Sequence, residues 1–252
     1  LEAYGKTTVN YNRDVEIFPV LNAIFEKISG ESPYKSPTDM GVNMAGNCIC
    51  DDEACREASR QEIIRRYYNT LNCLVYGTSK EEEVMKIELI MKQAGVTVSD
   101  RRVVSAALTR SEETGAPAAA MELPDGHIVT GKTSDLLGAS AALLLNALKE
   151  LAGIDHRENV ISPAAIAPIQ KLKTDYLGSR NPRLHTDEVL IALSTSAVSS
   201  EAAQKALDQI PKLAGCQAHT SVLLSDVDIK TLKRLSIQFT SEPKYEYKRN
   251  YH

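Results

Sequence analysis

Apolar residues recur at helical spacing through the N-terminal part of the chain and at mixed helical and strand spacing after it. Val20, Leu21, Ile24, Phe25 and Ile28 fall on one helical face, and Gly30 stops the run. Pro19 fits best in a first turn, which predicts a helix start near Phe18. From Glu31 to Asn47 no period is visible; Ser, Pro, Gly and Asn dominate, and Met40, Val42 and Met44 alternate with small or polar residues. That segment is predicted to be an irregular but ordered loop. A long helix is expected from about Asp52 to Leu74, capped by Asp51 or Asp52. Ser79 and Glu82 make a capping box for the next helix, which Gly95 closes. Asp100 caps a further helix that Gly115 ends.

From Ala116 the texture becomes α/β. Ala118 to Leu123 and His127 to Thr130 flank Pro124-Asp125-Gly126, a turn in which Pro presets φ, Asp bonds its own backbone and Gly accepts positive φ. The segment is therefore predicted to be a β-hairpin. A helix capped near Ser134 and ended by Gly153 follows, then a short strand at Val160-Ile161. Ser162-Pro163 starts a helix that ends at Gly178. Helices near Asp187 to Val198 and Ser200 to Leu213, a strand at Thr220 to Leu224, a helix at Asp228 to Leu235 and a strand at Ile237 to Thr240 complete the pattern. Strands interleaved with helices imply a sheet covered on both faces. The predicted architecture is a mainly helical region over 1–100 and a three-layer α/β/α domain over 101–252.

Composition narrows this picture little. The 252 residues are 43% hydrophobic and 25% charged, the range of ordinary globular chains. A net charge of −4 gives no basic field for nucleic acid or anionic lipid, so neither is an expected partner. The longest apolar stretch, Ala139 to Leu145, is too short to span a bilayer. Cys48, Cys50, Cys55, Cys73 and Cys216 are odd in number and irregularly spaced, which fits a reducing cytoplasm. Cys48, Cys50 and Cys55 offer thiolates, with Cys216 and His219 as remote partners, yet no second ligand pair stands at zinc spacing, and no metal site is expected. The start at Leu1 rather than Met suggests a fragment with an N-terminal part outside it.

Gly126-His127-Ile128-Val129-Thr130-Gly131-Lys132-Thr133 matches the phosphate-loop pattern G-x-x-x-x-G-K-[ST] at every fixed position. A phosphate loop needs its variable residues in a tight nest, whereas Ile128, Val129 and Thr130 are β-branched and prefer extended backbone. The hairpin reading is the stronger of the two.

Three other stretches could carry chemistry. The Glu31 to Asn47 loop holds Lys35, Asp39, Asn43 and Asn47, groups able to fix an anion, with Asp39 as a candidate catalytic carboxylate. Its bland reading is an interdomain connection. The opening Tyr4 to Asp14 carries Lys6, Thr7, Asn10, Asn12 and Arg13, which would suit an anion or simply a solvated strand. Arg183 and His185 precede a helix start, where a His can donate to an anion or act as a general base. A lone His is more often structural. Tyr245, Tyr247 and Tyr251 alternate with Lys244, Lys248 and Arg249; a tail packing on a neighbouring domain or subunit is the expected role.

The strings YGKTTVNYNRDVEIFPVL, KSPTDMGVNMAGN, QEIIRRYY, LPDGHIVTGKTSDLLGASAALLLNAL and NPRLHTDEVLIALS resemble the C-terminal half of a bacterial family of unknown function. Members are about twice this length, and their other half carries a phosphate-loop-like motif. The resemblance implies a cytoplasmic, oligomeric protein partnered by its own N-terminal half. Any nucleotide with its Mg ion would be bound mainly by that half. MELPDGHIVTGKTSDLLGASAALLLNALKEL also resembles the hairpin and helix of cytidine-deaminase-like domains. Ser140-Ala141-Ala142 stands where those enzymes need a ligand followed by Ala-Glu, and P-C-x-x-C is absent, so the resemblance implies only a shared architecture, with Lys132, Thr133 and Ser134 exposed where that fold often places its site. The function expected is the substrate-side half of a nucleotide-using enzyme acting on a small anionic or phosphorylated molecule. A non-catalytic oligomerisation scaffold is the competing class.

Overall fold

A computed structural model of the chain describes residues 14–44 and 51–246. It divides into two compact units, Leu1–Arg101 and Arg102–His252.

The first unit contains α1 (Asp14–Ser29), α2 (Pro37–Met44), α3 (Asp52–Val75) and α4 (Glu81–Ala94). Asp51 caps α3 as the sequence indicates, its carboxylate accepting the Ala54 amide at 2.9 Å. Gly95 closes α4 in the left-handed conformation. Four expectations need correction. Helix α1 begins at Asp14, a turn earlier than Phe18, so Pro19 sits inside it and removes one intrahelical amide. The Glu31 to Asn47 stretch is not wholly irregular, because Pro37–Met44 is helical. Ser36 accepts the Asp39 amide at 3.1 Å, Pro37 occupies the first turn, and Met40 is buried. The N-cap of α4 is Lys80; the Ser79 hydroxyl reaches Glu83 at 2.5 Å rather than boxing with Glu82. Asp100 caps a 3-10 turn, Val98–Asp100, by accepting the Thr97 amide at 2.7 Å. Val15, Ile63 and Met91 form the unit's small core with Tyr67, Ile87 and Ile90 around them.

The second unit opens with α5 (Arg102–Thr114), β1 (Ala118–Glu122) and β2 (Ile128–Lys132). It continues with α6 (Ala139–Leu151), α7 (Pro163–Lys171), a π-helical turn (Leu172–Tyr176), α8 (Thr186–Ala197) and α9 (Glu201–Leu207). A 3-10 turn (Ile210–Leu213), β3 (Gln217–Thr220), α10 (Asp226–Arg234) and β4 (Gln238–Ser241) complete it. The sheet runs β2-β1-β3-β4, with β1 antiparallel to both neighbours and β4 parallel to β3.

The period of the strand decides which side chains meet which layer. Ala120 packs with Val103 and Ala107 of α5, whereas Ala119 and Met121 join the large cluster that includes Leu143, Leu144, Ala147 and Leu193. Helices therefore cover both faces of a mixed sheet. Small residues along β1 let these layers approach closely.

The hairpin is observed: Ala118 pairs with Lys132 and Glu122 with Ile128. Both glycines of the phosphate-loop pattern have structural explanations. Gly126 turns the chain at φ 82°. A Cβ on Gly131 would lie 2.2 Å from the Leu143 amide nitrogen, so this glycine lets β2 press against the backbone of α6. The residues between them are strand rather than nest, which overturns a phosphate cradle at this place.

Three other boundaries move. Ser134 folds a turn by accepting the Leu136 and Leu137 amides at 3.3 and 3.1 Å, and α6 starts only at Ala139. Val160 and Ile161 are buried in the core without forming a strand. Strand β3 ends at Thr220, so the apolar run to Leu224 is a loop that leads into α10. Among the described residues no helix is long and apolar enough to cross a membrane.

Gly131→Ala is expected to destabilise the protein by about 1–3 kcal/mol or more, because the backbone of α6 must shift to admit the methyl group. Chemical denaturation of the two proteins checks this; an unchanged midpoint would mean that β2 and α6 are not so tightly apposed.

Candidate functional site

The loop leaving β2 is stitched to the segment that starts α8. Leu137 bridges Leu184 in parallel, the Leu184 amide donates to the Leu136 carbonyl at 2.9 Å, and the Gly138 amide donates to the Leu184 carbonyl at 3.1 Å. Gly138 is the N-cap of α6, and His185, the residue after Leu184, is the N-cap of α8. The next link runs from His185 to α10. Its Nδ1 lies 3.2 Å from Asp228 Oδ2 and 3.3 Å from the Oγ of Ser225, the N-cap of α10. Three helix N-termini are thus joined through one hydrogen-bonded chain.

Asp228 is the hub of that chain. Its Oδ1 accepts the Thr186 amide at 3.0 Å and the Thr186 hydroxyl at 2.9 Å, and its Oδ2 accepts the Ser225 hydroxyl at 2.7 Å. Burial works against ionisation of this carboxyl, but the hydrogen bonds from His185, Ser225 and the Thr186 amide outweigh it and hold the group below its ordinary range. The same bond to Asp228 pushes the His185 imidazole above its ordinary value despite partial burial. Asp228 is 11% exposed and His185 27%, so the ring edge is the wetter end of the pair.

A second ion pair braces this arrangement from beneath. Lys173, 7% exposed, donates to the Arg183 carbonyl and to Glu188 Oε2, each at 2.6 Å. Glu188 Oε2 also accepts the His185 amide at 2.8 Å, which fixes the backbone on which the imidazole stands. The π-helical turn is what carries Lys173 to this position.

Chemically, a carboxylate accepting at Nδ1 leaves Nε2 to exchange a proton with a ligand, and among the described residues Nε2 has no hydrogen-bond partner. The starts of α8 and α10 carry partial positive charge, and Asp187, Glu188, Asp226 and Asp228 in their first turns already answer it.

Of the residues singled out in the sequence, His185 stands at the centre of this cluster. Ser134 belongs to the turn that Leu137 ties to Leu184. Lys132 is exposed at the end of β2, and Thr133 is buried with its amide bonded to the Pro117 carbonyl. Arg183 lies two residues before His185 and is held by Glu246 at 2.6 Å. Lys35 and Asp39 lie in the other unit. There the Asp39 carboxylate accepts the Lys35 amide at 2.7 Å, and the Lys35 side chain is exposed. Asn43 falls within α2, and Lys6, Thr7, Arg13 and Asn47 lie outside the described residues. Sequence reasoning missed Asp228, Ser225, Thr186 and Lys173. Ser225-x-x-Asp228 was a readable capping signature; nothing local marked Lys173.

Fold and cluster together define a two-unit α-helical and α/β protein with a His–carboxylate pair where three helix starts meet. Its sequence belongs to the DUF1846 family. The C-terminal domain of unknown function of that family matches residues 99–251, and the N-terminal one matches residues 1–95. The UPF0371 protein of Corynebacterium glutamicum is 56% identical over 255 residues, covering 100% of this chain and 51% of that protein. The UPF0371 protein of Streptococcus thermophilus is 54% identical over 251 residues, again covering 100% of this chain and 51% of its own length. The chain therefore spans about half the length of these curated relatives. None of these names specifies a reaction.

The pair has a pH signature. The raised pKa of His185 contributes stability that is full below its ordinary value of 6.5 and is lost as pH rises through the raised folded value. The depressed pKa of Asp228 contributes stability that is present above its ordinary 3.8 and lost as pH falls through the lowered value. Denaturation midpoints should therefore fall as pH rises above 6.5 in the wild type more than in His185→Asn. Equal slopes in the two proteins would count against the linkage. Asp228→Ala, which strands the Thr186 amide and hydroxyl in a buried site, should cost about 3 kcal/mol by the same measurement.

Proposed function

We propose that this chain is the substrate-side part of an enzyme acting on a small anionic or phosphorylated molecule, with His185 as the proton-carrying group. The observation that carries the reading is the His185–Asp228 pair set at the joined starts of α6, α8 and α10. Asp228 orients the ring and stabilises its protonated form, and Thr186 and Ser225 keep the carboxylate ionised. Ser134, in the turn that Leu137 ties to Leu184, and Lys132, two residues before it in the chain, supply polar groups for the ligand's periphery in this reading. The proton role falls to His185 rather than Asp39, whose carboxylate is engaged with the Lys35 amide.

The reading extends to the longer protein. Use of a nucleotide with Mg by the other half, a cytoplasmic setting and self-association belong to the proposal and rest on the family resemblance. A deaminase-like architecture belongs to the proposal too, supported by the hairpin followed by α6, without its chemistry.

Thermal-shift and calorimetric screening of phosphorylated and carboxylate metabolites, alongside nucleotides, tests the proposal on the 252-residue chain. A ligand at a hundred times its Kd should stabilise the wild type by about 2.7 kcal/mol. His185→Asn should weaken that ligand about tenfold or more, roughly 1.4 kcal/mol, and remove the fall in affinity as pH rises through the His185 titration. Binding that is indifferent to both the substitution and pH would favour the scaffold reading instead.

A further inference from the structure

Helix α1 is apolar on two sides. Val15 is buried in the core of the first unit, while Ile17, Val20, Ile24 and Ile28 stand 43%, 61%, 44% and 79% exposed at spacings of three and four residues. Such spacing makes one stripe along the helix. A surface helix normally keeps the face away from its core polar. On α4, Leu89 lines the groove beside the stripe and is 56% exposed. Between α1, α3 and α4 runs a groove of about 890 Å³ floored by Ile63, Ile87 and Ile90. Its rim mixes signs, with Glu83 beside Lys27 and Lys86. An apolar floor with a mixed polar rim is the anatomy of a protein interface. The volume alone would also suit a small molecule. The stripe, however, continues past the groove to Ile17 and Ile28, farther than a small ligand covers.

The relatives indicate the occupant. Their alignments cover all of this chain over 251 to 255 residues, so the additional half of each relative lies outside the matched stretch rather than inserted into it. The groove lies on the unit that matches the family's N-terminal domain over residues 1–95. We propose that the α1–α3–α4 groove seats that additional half of the polypeptide, which buries the α1 stripe in the full-length protein. The inference rests on reading this chain as one part of a longer enzyme.

Thiol labelling tests it without isolating the other half. Val20→Cys and Ile24→Cys are made in the 252-residue chain, and the aligned residues are changed in full-length Corynebacterium glutamicum UPF0371 protein. Maleimide labelling is then read peptide by peptide by mass spectrometry, at concentrations where light scattering shows single chains. Rapid labelling in the 252-residue chain and labelling about tenfold or more slower in the full-length protein is the expected result. Equal, rapid labelling in both overturns the proposal. Slow labelling in the 252-residue chain overturns it as well, because a single chain then covers its own groove. Ligand stabilisation is measured on the same variants, so failure at the groove is distinguishable from failure at His185.

Discussion

The close approach of β2 to α6 at Gly131 is the constraint from which the candidate site follows. With no side chain there, strand backbone and helix backbone come into contact near Leu143. That contact fixes where the β2–α6 loop must run. The loop then turns on Ser134 and meets Leu184 through the Leu137 bridge. Because Leu184 immediately precedes His185, the imidazole inherits its place from packing that begins a strand and a helix away. A glycine that reads as part of a phosphate loop thus serves another purpose. It brings two layers together so that a histidine lands beside a carboxylate.

Electrostatics then determines the state of that histidine. A buried carboxylate is tolerable only when its lone pairs are occupied, and Asp228 meets this with donors from Thr186, Ser225 and His185. The cost of burying the charge is offset by the bonds that tie α8 to α10. The same bonds hold the ring in one orientation, so structural and chemical roles coincide in one cluster. Lys173 and Glu188 repeat the principle below it, a buried ammonium matched by a carboxylate and a carbonyl. In the first unit the polar contacts serve packing instead. Thr38 meets the Ser59 hydroxyl and so joins α2 to α3, and Asp39 closes the turn that starts α2.

Local signals in the sequence were reliable where a single residue type has a steric or hydrogen-bonding reason to be where it is. Asp51, Gly95, Gly115, the Pro-Asp-Gly turn and Ser162-Pro163 all mark real boundaries, because caps and positive-φ turns depend on neighbours along the chain. Ser134 and Ser79 looked equally good and cap other things, since a hydroxyl satisfied by a turn or by a glutamate gives the same short pattern. The α2 helix was hidden because Met40 and Met44 also fit an alternating pattern, and a helix this short has little period to show.

By itself the sequence determined a helical unit followed by a helix-covered sheet, the hairpin, and His185 as a helix-start histidine. Those features follow from periodicity and from bonds spanning a few residues. Only the tertiary structure decided that His185 meets Asp228, forty-three positions away, and that Lys173 supports it from a π-helical turn. The separation is the reason: such pairs are chosen by how layers pack, and a linear pattern carries no record of which helix start will face which.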